Sequence, residues 1–266
     1  MDLPETKSLD LELNAGWLTI WFNEPERRNP LTTARVDALR ALCRALESRR
    51  DIRGVIFRGR GGVFCAGGDL KSFKVAFQVD ATREDVIALS LNGADLFDLV
   101  NALPQVTVMA VEGAAMAGGF GLVCCGDVVV ADAAAKFALA ETRIGLTPAQ
   151  ISPFVLNRLG ARLGRRLLLT AASFDGADAA RIGLADVVTK GTREMDEAIC
   201  NVATDVRRAA PGAVANTKRL ILAMPGLDRE GQKQAAAESF ADAMLSEEGR
   251  EGVASFVEKR KPSWAE

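Results

Sequence analysis

The chain has 266 residues, of which 48% are hydrophobic and 26% charged, and its formal net charge is −2. That balance excludes disordered and collagen-like classes and leaves no electrostatic footprint for nucleic acid or an anionic membrane surface. Histidine and tyrosine are both absent from the sequence, which excludes Ser-His-Asp and Cys-His catalysis, imidazole zinc sites and a phenolic acid or base. Proton transfer therefore falls to Asp, Glu, Lys, Cys or water.

The N-terminal residues show no basic segment leading into an apolar run, and no stretch of about eighteen uncharged apolar residues occurs. The protein reads as cytosolic. Five cysteines, Cys43, Cys65, Cys124, Cys125 and Cys200, are odd in number and form no CxxC pair, so they are expected to be reduced and mostly buried. The length suits one core of repeated strand and helix units with a helical C-terminal extension.

In chain order, Leu9 to Leu13 and Trp17 to Phe22 are short alternating runs around Asn14-Ala15-Gly16, which predicts a hairpin. After a polar loop from Asn23 to Pro30, Leu31, Val36, Leu39, Leu42 and Leu46 recur at helical spacing. Val55-Ile56-Phe57 predicts a buried strand, ending at Gly59-Arg60-Gly61-Gly62. Val86, Leu89, Leu96, Val100 and Leu103 predict a long amphipathic helix stopped by Pro104. Val106 to Val111 is the next strand, and Gly118 to Cys125 reads as a turn opening into a buried helix. Asp127 to Ala131 and Lys136 to Leu139 follow as short strands, before the loop that carries Glu141. Helical periodicity then marks 149–159, 163–169, 177–182, 194–209, 211–222 and 230–257.

Neither GxGxxG, GxxxxGK[ST] nor G-x-S-x-G occurs, so the dinucleotide, P-loop and serine-hydrolase readings fall away. What stands out is a pair of glycine-lined turns, Val63 to Lys71 and Gly118-Gly119, whose Gly68 and Gly118 are 118 − 68 = 50 residues apart. That interval is enough for a helix and a strand to bring the chain back beside itself. Two such turns suggest two main-chain amides aimed at one oxygen.

Phe64-Cys65-Ala66-Gly67-Gly68-Asp69-Leu70-Lys71 resembles the F-x-A-G-x-D-[LI]-K stretch of the crotonase, or enoyl-CoA hydratase/isomerase, superfamily. Glu112 to Gly121 resembles that family's second glycine motif. The likeness extends over Asn23-Glu24-Pro25 to Asn29-Pro30-Leu31, Ala140 to Leu146 and Ser255 to Pro262, nearly the whole chain. It implies an α/β fold: a spiral of repeated β-β-α turns over residues 1–200, with a C-terminal helical region, 201–266, that packs on the core and joins subunits into trimers or hexamers. By position it implies an oxyanion hole at the Gly68 and Gly118 amides and a catalytic Glu141. Arg28, Ala66, Gly68, Leu70, Lys71, Lys74 and, from a neighbouring subunit, Phe256, Lys259 or Lys261 are implied around coenzyme A, which enters as part of the acyl-CoA thioester substrate. No tightly bound cofactor and no metal are implied. Met116 and Phe120 are candidates for the acyl pocket, with core packing as the alternative. Asp69 is expected to cap a helix or stabilise its turn rather than carry a proton.

One departure matters. Where two-glutamate hydratases of the family carry their other carboxylate, this chain has Gly121, so a single glutamate is left for acid and base work. That arrangement resembles double-bond isomerases and the hydratases of branched glutaconyl-CoA thioesters, and the run Ile144 to Phe154 looks more like the latter. A hydratase is the expected activity, an enoyl-CoA isomerase and a non-catalytic acyl-CoA-binding member are the alternatives. The alternative reading of Glu141 is a solvated loop charge or a partner of Arg143. The segment Ser72–Glu84, with Gln78 and Asp80, is expected to flank the pocket.

Overall fold

The computed structural model describes residues 3, 4, 6–71, 74 and 81–265. β1 (Leu9–Asn14) and β2 (Trp17–Phe22) form the antiparallel hairpin predicted above. Ala15 and Gly16 close it with φ of 47° and 77°, because positive φ at both turn positions matches the twist of the flanking strands. β3 (Gly54–Gly59), β4 (Val106–Val111), β6 (Val128–Asp132) and β9 (Val187–Thr189) then add in parallel, in the order β1-β2-β3-β4-β6-β9. A smaller sheet stacks β5 (Ala114–Met116), β7 (Lys136–Ala138) and β8 (Phe174–Asp175) in the order β5-β7-β8. The chain passes repeatedly from a strand of the large sheet to one of the small sheet and on into a helix, which is the β-β-α spiral.

The α-helices whose residues are all described are α1 (Thr33–Leu46), α2 (Arg83–Asn101), α3 (Gly118–Cys124), α4 (Ser152–Thr170), α5 (Gly176–Arg181), α6 (Thr192–Arg207), α7 (Pro211–Ala223), α8 (Arg229–Leu245) and α9 (Glu247–Val257). The period of two along each strand sorts side chains between two cores. Val55, Phe57, Met109, Val111 and Val129 face the main core, where Leu39, Leu42, Leu96, Val100 and Phe120 come in from α1, α2 and α3. Ile56, Val108 and Val130 point the other way, against Met195 and Ile199 of α6.

The long periodic elements fall where their spacing predicts. α2 opens on a capping box, in which Thr82 and Asp85 bond each other's backbone amides. The differences have local causes. β5, β8 and β9, of two or three residues each, are too short to show a period. The helical pattern through 230–257 is broken in two at Ser246, whose backbone is extended (φ −71°, ψ 162°) and whose Oγ accepts from the Gly249 N–H at 2.9 Å. A Cβ added at Gly249 would lie 2.0 Å from the Ala243 carbonyl oxygen, so the two helices cross too closely for one continuous rod. α4 breaks similarly at Gly160 (φ 74°, ψ 160°), after a 3₁₀ turn over Ala149–Ile151.

The C-terminal helices are fastened to the sheet by charge. Lys218 Nζ of α7 donates to Asp127 Oδ2 at 2.7 Å and to the Gln105 carbonyl at 3.2 Å. Arg53 donates to the carbonyls of Val206 and Trp264 at 3.1 and 3.2 Å. Four of the five cysteines are buried and Cys200 is exposed. Among the described residues no helix is long and apolar enough to cross a membrane.

Candidate functional site

The two glycine turns meet. Beyond β3 the chain runs as a ladder beside β5: Phe64 N–H donates to the Glu112 carbonyl at 3.0 Å, Cys65 N–H to that of Ala114 at 3.0 Å, and Met116 N–H to that of Cys65 at 2.9 Å. Past Met116 both strands turn. Gly67 has φ of 89° and Ala117 has φ 50° and ψ −121°, the first in a region that suits only glycine well. A Cβ placed on Gly67 would fall 2.7 Å from Ala117 Cβ and 3.2 Å from the Gly118 nitrogen. Gly67 is glycine because the second turn occupies that space. Gly68 and Gly118 thus lie on abutting turns, and among the described residues neither amide N–H has a backbone acceptor in the loop network.

The region from Glu24 to Arg35 braces the first turn. Ala66 N–H donates to the Arg28 carbonyl at 3.0 Å, and Leu31 N–H to that of Gly67 at 2.8 Å. Asn29, fully buried, donates to the Arg60 and Val63 carbonyls at 3.0 and 2.6 Å. Arg35, also fully buried, donates to the Pro30 carbonyl at 2.5 Å and pairs with Glu24 at 3.1 Å. Asp69 is 6% exposed and receives Arg27 Nη2 at 2.7 Å. That ion pair ties the first turn to the 24–28 loop.

Glu141 arrives beside the second turn through β7. Ala117 N–H donates to the Ala138 carbonyl at 2.9 Å, and Glu141 opens the 3₁₀ turn Glu141–Ile144 three residues later. Its Oε2 is buried and has no hydrogen-bond partner among the described residues. Burial pushes its pKa above the ordinary carboxylate value, against a smaller opposing effect of a backbone hydrogen bond. Arg143 does not neutralise it: the guanidinium is turned to the Ala171 carbonyl at the end of α4. A partly desolvated carboxylate without a charged partner, on the segment that follows the strand paired to the second turn, is the kind of group that can carry protons.

Gly121 lies one helical turn after Gly118, on the same face of α3. A Cβ there would fall 2.3 Å from Ile151 Cγ2 and 3.2 Å from Phe97 Cε1. The absence of a second carboxylate is thus built into the packing. Ile151 and Phe97, 4% and 6% exposed, were not foreseen as site residues. The glycine signalled a close approach, but its partner is thirty residues further along the chain.

The remaining expectations divide. Arg28, Ala66, Gly68, Leu70 and Lys71 are gathered on or beside the first turn, with the Arg28, Leu70 and Lys71 side chains exposed. Lys74 is exposed as well. Phe256, 86% exposed, and Lys259 (φ 56°) lie at the end of α9, which packs on α7 and α8. Among the described residues no hydrogen bond or ion pair joins Phe256, Lys259 or Lys261 to the 66–71 turn. Phe120 is fully buried, edge-on to Phe137 and Phe174 at 6.1 and 6.0 Å, which makes it a core residue. Met116 is half-buried. Gln78 and Asp80 lie outside the described residues. No group of three or more acidic or cysteine side chains suited to a metal ion occurs among the described residues.

Comparison with known proteins places this geometry. The enoyl-CoA hydratase/isomerase family model matches residues 12–266. AtuE of Pseudomonas aeruginosa is similar in structure, with a TM-score of 0.94 and 42% identity, over 98% of this chain and 100% of that one. An enoyl-CoA hydratase/isomerase from Marinobacter aquaeolei gives a TM-score of 0.93 at 36% identity, over 98% and 100% of the two chains. In sequence, an inferred enoyl-CoA hydratase of Thermus thermophilus is 35% identical over 91% of this chain and 95% of its own length.

Proposed function

This chain belongs to the enoyl-CoA hydratase/isomerase family, and on that footing we propose that it is a hydratase adding water across the 2,3 double bond of an acyl-CoA thioester. The buried, unpartnered Oε2 of Glu141 is the observation that carries this reading. Ionised Glu141 takes a proton from water as the water oxygen bonds to C3. The π electrons move onto the thioester oxygen as an enolate, which the amides of Gly68 and Gly118 stabilise without reorganising. The enolate then collapses, C2 takes the proton held by Glu141, and the carboxylate is restored. One group serves both steps, because burial holds its pKa nearer the working pH, so that it is a better base when charged and still a donor when protonated.

The coenzyme A portion is held by the first turn, through the main chain of Ala66 and Gly68 and the side chains of Arg28, Leu70 and Lys71. Phe256 and Lys259 come from a neighbouring copy in a homotrimer or hexamer. Cationic side chains suit the phosphates of that ligand. The protein acts in the cytoplasm.

Packing of Ile151 against Gly121 supports a second reading, a double-bond isomerase, since moving a proton between C2 and C4 also needs a single carboxylate. The non-catalytic alternative, an acyl-CoA binder, is disfavoured by the retention of an unpaired Glu141. Incubation with linear and branched enoyl-CoA thioesters, glutaconyl types included, separates the three by product mass. Gain of one water on any member supports the hydratase. Movement of the double bond without mass change makes it an isomerase, and bound but unaltered thioester across the panel refutes both enzymatic readings.

A further inference from the structure

The ladder between residues 64–65 and 112–116 ends at Met116, and beyond it the two turns pair with different neighbours. Ala117 N–H goes to Ala138, whereas the Gly67 carbonyl takes the N–H of Leu31. Leu31 and Gly68 form an isolated parallel bridge, so the Leu31 backbone is locked to the first turn. Its flanks are fixed too, since buried Asn29 and Arg35 tie residues 29 and 30 to the core. The Leu31 side chain, 9% exposed, leaves this anchored strand and reaches the second turn: a Cβ on Gly118 would lie 3.0 Å from Leu31 Cδ1. Leu31 therefore touches both turns, one through its backbone and the other through its terminal methyl.

The geometry points to Leu31 as a positioning residue that sets the separation of the Gly68 and Gly118 amides. This rests on the oxyanion role given to those amides above. Leu31 donates nothing to the ligand. It acts by filling the space beside Gly118, so that the first turn of α3, which already abuts the Gly67 turn, cannot shift sideways into the place of Leu31. Reach is the property required, and a shorter side chain leaves a gap that α3 closes or fluctuates across.

The test uses the full chain with a saturated acyl-CoA, which cannot turn over, carrying ¹³C at the thioester carbonyl. Two amides donating to that oxygen lower its infrared stretching frequency, and the lowering reports their alignment. Leu31→Ala is expected to reduce the shift and to lower kcat on the order of 10- to 100-fold, with KM within about twofold. Leu31→Met, which keeps the reach, restores both, and Leu31→Val, which loses less packing than Ala, falls between. A folded Leu31→Ala or Leu31→Val variant with the full wild-type shift and undiminished kcat overturns the proposal. Wild-type protein that binds the thioester with no shift at all overturns the oxyanion reading, and the role of Leu31 with it.

Discussion

If Ile151 occupies the space that a side chain at Gly121 would need, the two positions must be energetically coupled, and the coupling has a definite sign. Gly121→Ala puts a methyl 2.3 Å from Ile151 Cγ2 and 2.8 Å from Ile151 Cβ. Such overpacking costs about 1–3 kcal/mol, partly offset by up to about 1 kcal/mol of helix propensity in α3. Ile151→Ala alone removes a buried branched side chain and costs about 2–5 kcal/mol, cavity included. In the double variant the closest clash, with Cγ2, is gone, the 2.8 Å approach to Cβ is left to a small backbone shift, and the new methyl fills part of the hole. The double variant should therefore be more stable than the sum of the single effects requires, by roughly 1–3 kcal/mol. Urea unfolding followed by tryptophan fluorescence at fixed protein concentration reads all four corners of the cycle. Additivity within about 0.5 kcal/mol would refute the claim that Ile151 is what keeps position 121 empty. The functional corollary is that Gly121→Glu restores no second working carboxylate unless Ile151 is also shortened.

Other outcomes follow from the same geometry. Glu141→Gln should lower kcat by about 10²–10⁴-fold while leaving the affinity for a saturated acyl-CoA within about twofold, checked by turnover and calorimetry. Because the Glu141 pKa lies above its ordinary value of 4.5 in the folded chain, activity that needs the ionised form should decline with falling pH through a point above 4.5. The same shift makes the ionised side chain a burden on the fold: its stability contribution is full below 4.5 and is lost as pH rises through the folded-state pKa. Glu141→Gln should accordingly melt higher than wild type at pH 7, with the gap closing as pH approaches 4; equal melting temperatures at pH 7 would count against an unpaired buried carboxylate. Arg143→Gln should leave the acid limb of the pH profile where it is, since that guanidinium serves Ala171. Ser246→Ala should cost about 1 kcal/mol by removing the cap of α9, read by urea unfolding.

Much of this was legible in the sequence for stated physical reasons. The hairpin, α1, α2 and strands β3, β4 and β6 carry enough residues for their period to show. The glycine clusters marked close approaches because Gly67, in a turn, and Gly121, in a helix, each sit where a Cβ has no room, although the sequence does not say what fills that room. Glu141 was found by its place in a motif, but whether Arg143 neutralised it depended on Ala171, twenty-eight residues away. Ser246 falls inside the helical periodicity of 230–257, and only the close approach of Gly249 to Ala243 requires the rod to break there. In each miss the deciding contact is long-range or main-chain, and neither leaves a periodic trace.

The ladder of Phe64, Cys65 and Met116 amides has a consequence for how the protein breathes. Those three N–H groups exchange with solvent only when the 63–67 strand lifts away from 112–116, so their deuterium uptake clocks the separation of the two turns directly, with no ligand present. A molecule can hold its sheets intact and still lose this ladder for part of the time, since sub-global openings lie below the free energy of complete unfolding. Heating would then extinguish binding at a temperature where the β3 and β4 amides remain protected.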